Sequence, residues 1–146
     1  MNTQILLDHE PVADGGYLVR ALLRITGEAP DAAARPPLNL ALVLDRSGSM
    51  GGGKLEHVKE AARLLVRRVG DDDVVSLVAY DDQVTTLAAR ARGADRQALL
   101  EAIDRIGLGG STNLSGGWLR GRELVAAGRL EGGVNRVLLL TDGLAN

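Results

Sequence analysis

Leu40, Ala41, Leu42, Val43 and Leu44 form an unbroken apolar run that stops on Asp45. A strand that is apolar at every residue can turn neither side to water, so it belongs inside a parallel sheet covered by helices on both faces. Two more runs of this kind follow, Val74 to Tyr80 and Val137 to Thr141, and helical patterns separate them. Leu55, Val58, Ala62, Leu65 and Val69 recur at steps of three and four residues, which predicts an amphipathic helix closed by Gly70 as its C-cap. A second helix is expected from an Asp95 N-cap to Ile106, burying Leu99, Ala102, Ile103 and Ile106, and a third from Ser115 to Ala127 with Gly128 as its stop. Asp81 and Asp82 form a turn into a short strand, Val84 to Leu87, that folds back antiparallel along one edge. With right-handed crossovers, this alternation predicts a doubly wound α/β domain with a mostly parallel sheet from Leu38 to Asn146.

The first 37 residues follow a different pattern. Tyr17 to Thr26 alternates, with Val19, Ala21, Leu23 and Ile25 on one side, and Asp14, Gly15 and Gly16 supply a turn before it. With Gln4 to Leu7 as partner this is a β-hairpin, and Gly27 to Pro37, holding three of the four prolines, is a linker. A chain of 146 residues has room for one main core, so the hairpin is an appendage.

Charge and composition remove several classes of function. The 17 basic side chains are scattered among 19 acidic ones, for a net charge of -2, and form no stripe that could follow a phosphate backbone, so no nucleic-acid partner is expected. No apolar run reaches the roughly 20 residues that cross a bilayer, so no membrane partner is expected. The chain has no cysteine, and its first residues lack the charged-then-apolar layout of an export signal, which together predict a cytoplasmic protein.

Three loops carry the polar chemistry: Asp45-Arg46-Ser47-Gly48-Ser49, Gly109-Gly110-Ser111-Thr112-Asn113, and Thr141-Asp142-Gly143. In open α/β sheets, loops at the carboxyl ends of strands converge on one crevice. They bring two carboxylates and five hydroxyls, with no thiol and no well-placed imidazole, a set that suits magnesium, calcium or manganese and argues against zinc.

The Asp-x-Ser-x-Ser of Asp45, Ser47 and Ser49, followed by Thr112 and then by Asp142 before Gly143, resembles the metal-ion-dependent adhesion site of von Willebrand factor A domains. The resemblance covers Leu38 to Asn146 and implies a Rossmann-like fold. It implies that Ser47, Ser49 and Thr112 ligate one divalent cation, magnesium first among them, and that Asp45 and Asp142 bind it directly or through water. It further implies a non-enzymatic module that binds a protein partner's acidic side chain through the ion. Intracellular bacterial members work with AAA+ ATPases, so such a system is an expected partner. Domains of this family continue past the Thr-Asp-Gly segment, which predicts a missing C-terminal portion here. An exposed apolar edge at Val137 to Leu140 would then pair with a second polypeptide or another copy.

The alternatives are concrete. Gly48 to Lys54 fits seven positions of a phosphate-binding loop, but Leu55 stands where a magnesium-binding Ser or Thr is required. A nucleotide binder or phosphohydrolase using Lys54 and Asp142 is the second hypothesis, and a purely structural cluster of loop caps the third. Asp71, Asp72 and Asp73 are expected in a solvated turn, His9 and His57 in structural or solvated roles, and Trp118 in the core.

Overall fold

The computed structural model describes residues 2–7, 21–26 and 35–143. The chain divides into two compact units, 1–35 and 36–146. In the first, β1 (Asn2–Leu7) and β2 (Ala21–Thr26) pair antiparallel, with Ile5 opposite Leu23. The expected turn at Asp14 to Gly16, the strand residues 17–20 and most of the linker lie outside the described residues.

The second unit contains β3 (Leu38–Asp45), α1 (Lys54–Arg68), β4 (Val74–Tyr80), β5 (Val84–Arg92), α2 (Arg96–Asp104), α3 (Leu114–Ala127) and β6 (Val134–Leu140). Its four-stranded sheet has the order β5-β4-β3-β6. β3 runs parallel to both β4 and β6, while β5 lies antiparallel on β4. The apolar run of β3 is central, as its composition demands, and β6 forms an edge of the described sheet.

Alternate residues of β3 serve opposite layers. Leu40, Leu42 and Leu44 join Leu55, Ala62, Val66, Leu99 and Ile103 in the larger core, under α1 and α2. Val43 joins Val78, Tyr80 and Leu124 under α3. Fully burying one such leucine is worth roughly 2 kcal/mol relative to leaving it exposed. Among the described residues, no helix is long and apolar enough to cross a membrane.

Four local expectations need correction. α1 ends on Val69 in extended conformation and not on a left-handed glycine. Gly70 instead donates its N–H to the Asp73 carboxylate at 2.7 Å. Asp73 is buried and also accepts from Leu38 N at 2.9 Å, so this acid ties the helix end to the first sheet strand and is no solvated turn residue. The strand after Asp82 runs to Arg92, five residues further than the alternation shows, because a bulge breaks its register between Val75 and Val78. At that break Arg90 takes a φ of 53°, and its N–H is satisfied by the buried Ser76 hydroxyl at 3.0 Å.

Trp118 is the fourth correction: it is 43% exposed. The face that α3 turns to the sheet carries Gly117, Gly121 and Leu124. A Cβ at Gly117 would lie 2.6 Å from the Tyr80 ring, and one at Gly121 2.5 Å from Val43. The helix therefore sits close over the sheet on small residues, and its large apolar side chain points away.

Candidate functional site

The rim at the carboxyl ends of β3, β4 and β6 brings together Asp45, Ser47, Ser49 and Asp142. Asp45 ends β3 and is fully buried. Its Oδ1 accepts from Ser47 N at 2.9 Å, an Asx turn that swings the chain off the strand. Its Oδ2 accepts from the Tyr80 hydroxyl at 3.1 Å and from Thr141 Oγ1 at 2.7 Å. Ser47 Oγ and Ser49 Oγ lie 3.2 Å apart, and Ser49 Oγ donates to Asp142 Oδ1 at 3.4 Å. Residues 93 positions apart in the chain thus share one polar cluster.

Thr112 belongs to the loop that closes the rim. Gly109 N donates to Arg46 O at 2.7 Å and Gly48 N to Gly110 O at 2.8 Å, so residues 109–110 run beside 46–48. Asn113 N then donates to Asp81 O at 2.6 Å, and the Asn113 side chain caps α3 by accepting from Gly116 N. Thr112 lies half-buried between these anchors, and among the described residues its hydroxyl makes no hydrogen bond.

Four further residues complete the rim, of which Lys54 was named above only for the phosphate-loop alternative. Tyr80 and Thr141 orient the Asp45 carboxylate through neutral donors. Burial above all pushes the Tyr80 phenol up to about 12; the Thr141 contact opposes this and the Asp45 charge adds to it, so Tyr80 stays a donor at neutral pH. Lys54, the first residue of α1, places its ammonium 2.8 Å from Asp142 Oδ2. Asp81, buried at the end of β4, pairs with Arg46 at 3.1 Å and accepts from Gln83 N at 2.9 Å. Apart from the phosphate-loop pattern that ends on Lys54, the signal for them was a position next to a candidate ligand or at a strand end.

Burial pushes the Asp81 carboxyl up, but the Gln83 N–H and the Arg46 guanidinium outweigh it and hold it below its ordinary value of 3.8. A depressed carboxyl binds its proton more weakly in the fold than in the unfolded chain. Its contribution is therefore complete above pH 3.8 and is lost as pH falls through the lower value it has in the fold. Urea midpoints measured from pH 6 down to pH 2 should show this acid loss in the wild type. Asp81→Asn should flatten it, and an equal slope in both proteins would refute the assignment.

The donor set fits a hard cation. Two oxygens at neighbouring positions of an octahedral magnesium stand about 3 Å apart, given metal–oxygen distances of about 2.1 Å. The two serine hydroxyls, 3.2 Å apart, have nearly that spacing. They are flanked by two carboxylates, one of which already holds a cationic group. Among the described residues no three His, Cys, Asp or Glu side chains cluster, so any ion here would rely on hydroxyls as well as acids. The phosphate-loop alternative gains no hydroxyl at its eighth position, because Leu55 is packed in the core.

A central parallel sheet with an oxygen-lined rim at its carboxyl end defines an open α/β domain built for binding at that edge. Residues 40–144 match the model of the von Willebrand factor type A domain, and the chain belongs to that family. It is 36% identical over 145 residues to an uncharacterized protein of Synechocystis sp., covering 98% of this chain and 34% of that one. It is 32% identical over 126 residues to human inter-alpha-trypsin inhibitor heavy chain H3, covering 81% of this chain and 14% of that one. The chain thus spans about a third or less of the length of these relatives. Its fold is similar to the von Willebrand domain of the type V pili tip protein Mfa5 from Porphyromonas gingivalis, with a TM-score of 0.67, 23% identity, and coverage of 77% of this chain and 40% of that one. The pilus adhesin SpaC from Lactobacillus rhamnosus GG is similar at a TM-score of 0.65 and 20% identity, over 77% of this chain and 15% of that one. Domains of this family are protein-interaction and adhesion modules.

Proposed function

We propose that this domain binds a protein partner through one divalent cation, magnesium first and calcium or manganese as substitutes. Ser47, Ser49 and Thr112 would hold the ion, and Asp45 and Asp142 would hold it directly or through water. The observation that carries the proposal is the 3.2 Å pair of serine hydroxyls set between two carboxylates. Neutral hydroxyls offset little of a double positive charge, so an ion held this way keeps its attraction for a carboxylate from outside. The partner is accordingly a protein presenting an acidic side chain, and an AAA+ ATPase system is a partner to test first.

Recognition is favoured over catalysis. Among the described residues no imidazole contacts Ser47 or Ser49, so the serine–histidine pairing of a nucleophilic hydroxyl is not assembled, and the acid that Ser49 meets is engaged by Lys54.

Adding magnesium to chelator-treated protein should stabilise it by about 2.7 kcal/mol when the free ion is about a hundred times its dissociation constant. For a domain of this size that is a rise in Tm of roughly 5–10 °C. Melting curves with and without each cation test this. An unchanged Tm in millimolar magnesium, calcium and manganese would refute it.

A further inference from the structure

Lys54 stands at the first position of α1, where a positive charge is unfavourable. The exposed N–H groups of a helix start carry partial positive charge, so acidic residues suit this place and a lysine does not. The two residues before it, Gly52 and Gly53, have φ of 68° and 94°, which a side chain would strain. That turn starts the helix with Lys54 beside the rim, and its ammonium lies 2.8 Å from Asp142 Oδ2. The lysine is 49% exposed while Asp142 is only 11% exposed, so a solvated arm reaches inward to a mostly buried acid.

Resting on the metal site proposed above, we infer that Lys54 is a built-in competitor for that ion, a tethered monovalent cation that occupies Asp142 until a divalent one displaces it. Asp142 faces Ser49 with Oδ1 and Lys54 with Oδ2, so the ammonium sits on the same carboxylate that Ser49 meets. A divalent ion drawn to Asp142 must either break this contact or accept a positive neighbour within a few ångströms, and both weaken its binding. The lysine thereby lowers the affinity of the site and keeps the carboxylate neutralised when no ion is bound. Its flexible, exposed stem lets it leave without disturbing the core.

Calorimetric titration of the whole chain with magnesium separates the possibilities, comparing wild type with Lys54→Met, Lys54→Gln and Lys54→Arg. Removing the charge should tighten magnesium binding on the order of five- to tenfold, combining a lost exposed ion pair with relief of cation repulsion. Lys54→Arg should stay near the wild type. Ordinary structural damage would weaken binding, so a gain cannot come from it. Raising sodium chloride should narrow the gap between wild type and Lys54→Met, because salt screens an exposed pair. Wild-type binding that is unchanged or weakened in both neutral variants would overturn the competitor role and leave the metal site standing. No magnesium binding in wild type or variants would overturn both.

Discussion

Asp45→Ala is expected to lower magnesium affinity by about a hundredfold or more and to abolish partner binding with it. Loss of a residue that only orients a metal ligand commonly costs ten- to a hundredfold, and Asp45 is closer to the proposed ion than that. It is fully buried and organises three donors, Ser47 N, Tyr80 Oη and Thr141 Oγ1. Truncation leaves those donors without an acceptor, at a cost of about 1–3 kcal/mol for each that finds no substitute. Part of the functional loss could then come from a loosened rim, and Asp45→Asn separates the two effects. The amide keeps the size and one oxygen, so it should retain most of the stability while still binding magnesium much more weakly. Calorimetry together with urea unfolding on both variants gives the answer. Wild-type affinity in Asp45→Asn would mean that the ion, if any, is held elsewhere.

The second large effect is expected at Gly117. By helix propensity alone, Gly117→Ala should stabilise α3 by up to about 1 kcal/mol. Packing opposes this, because the new Cβ would stand 2.6 Å from Tyr80 Cδ1 and 2.7 Å from Cγ. Overpacking of this kind typically costs about 1–3 kcal/mol, so after the full propensity gain the net change is a destabilisation of up to about 2 kcal/mol. The displaced ring is the one whose hydroxyl donates to Asp45, so magnesium affinity should fall as well. Tyr80→Leu makes room, and the double variant should recover stability relative to the sum of the singles by about 1 kcal/mol or more. Denaturant midpoints for the four proteins close the cycle. A Gly117→Ala protein more stable than wild type would show that α3 can lift freely, contrary to the close helix–sheet contact.

These two residues differ in how visible they are along the chain. Asp45 is marked by what precedes it: an apolar run must be central in its sheet, and the polar residue ending it must lie at the carboxyl edge. Ser47 and Ser49 follow in the same loop, and Asp142 follows the third run of that type, so the oxygen-rich set was legible along the chain. Gly117 carried no such mark. As the single large aromatic of its helix, Trp118 was expected to pack inside, whereas the close approach of the helix selects glycine for the inner face and leaves Trp118 outside. Hydrophobic patterning assumes that the buried face is the apolar one, and it fails where a backbone must come near an aromatic ring.

The amino-acid order by itself determined the strand and helix succession, the layered α/β class and the loops that meet at one rim, because these follow from local periodicity and from the burial that each apolar run demands. Only the folded chain decided what each polar group touches. Asp142 meets Lys54 88 positions away, Asp45 meets Thr141 96 positions away, and Arg46 meets Asp81 35 positions away. Those partners depend on which strands lie side by side, in which register, and on where α1 begins beside the rim. Backbone periodicity is a property of neighbours in the chain, whereas the charge environment of a carboxylate is a property of neighbours in space.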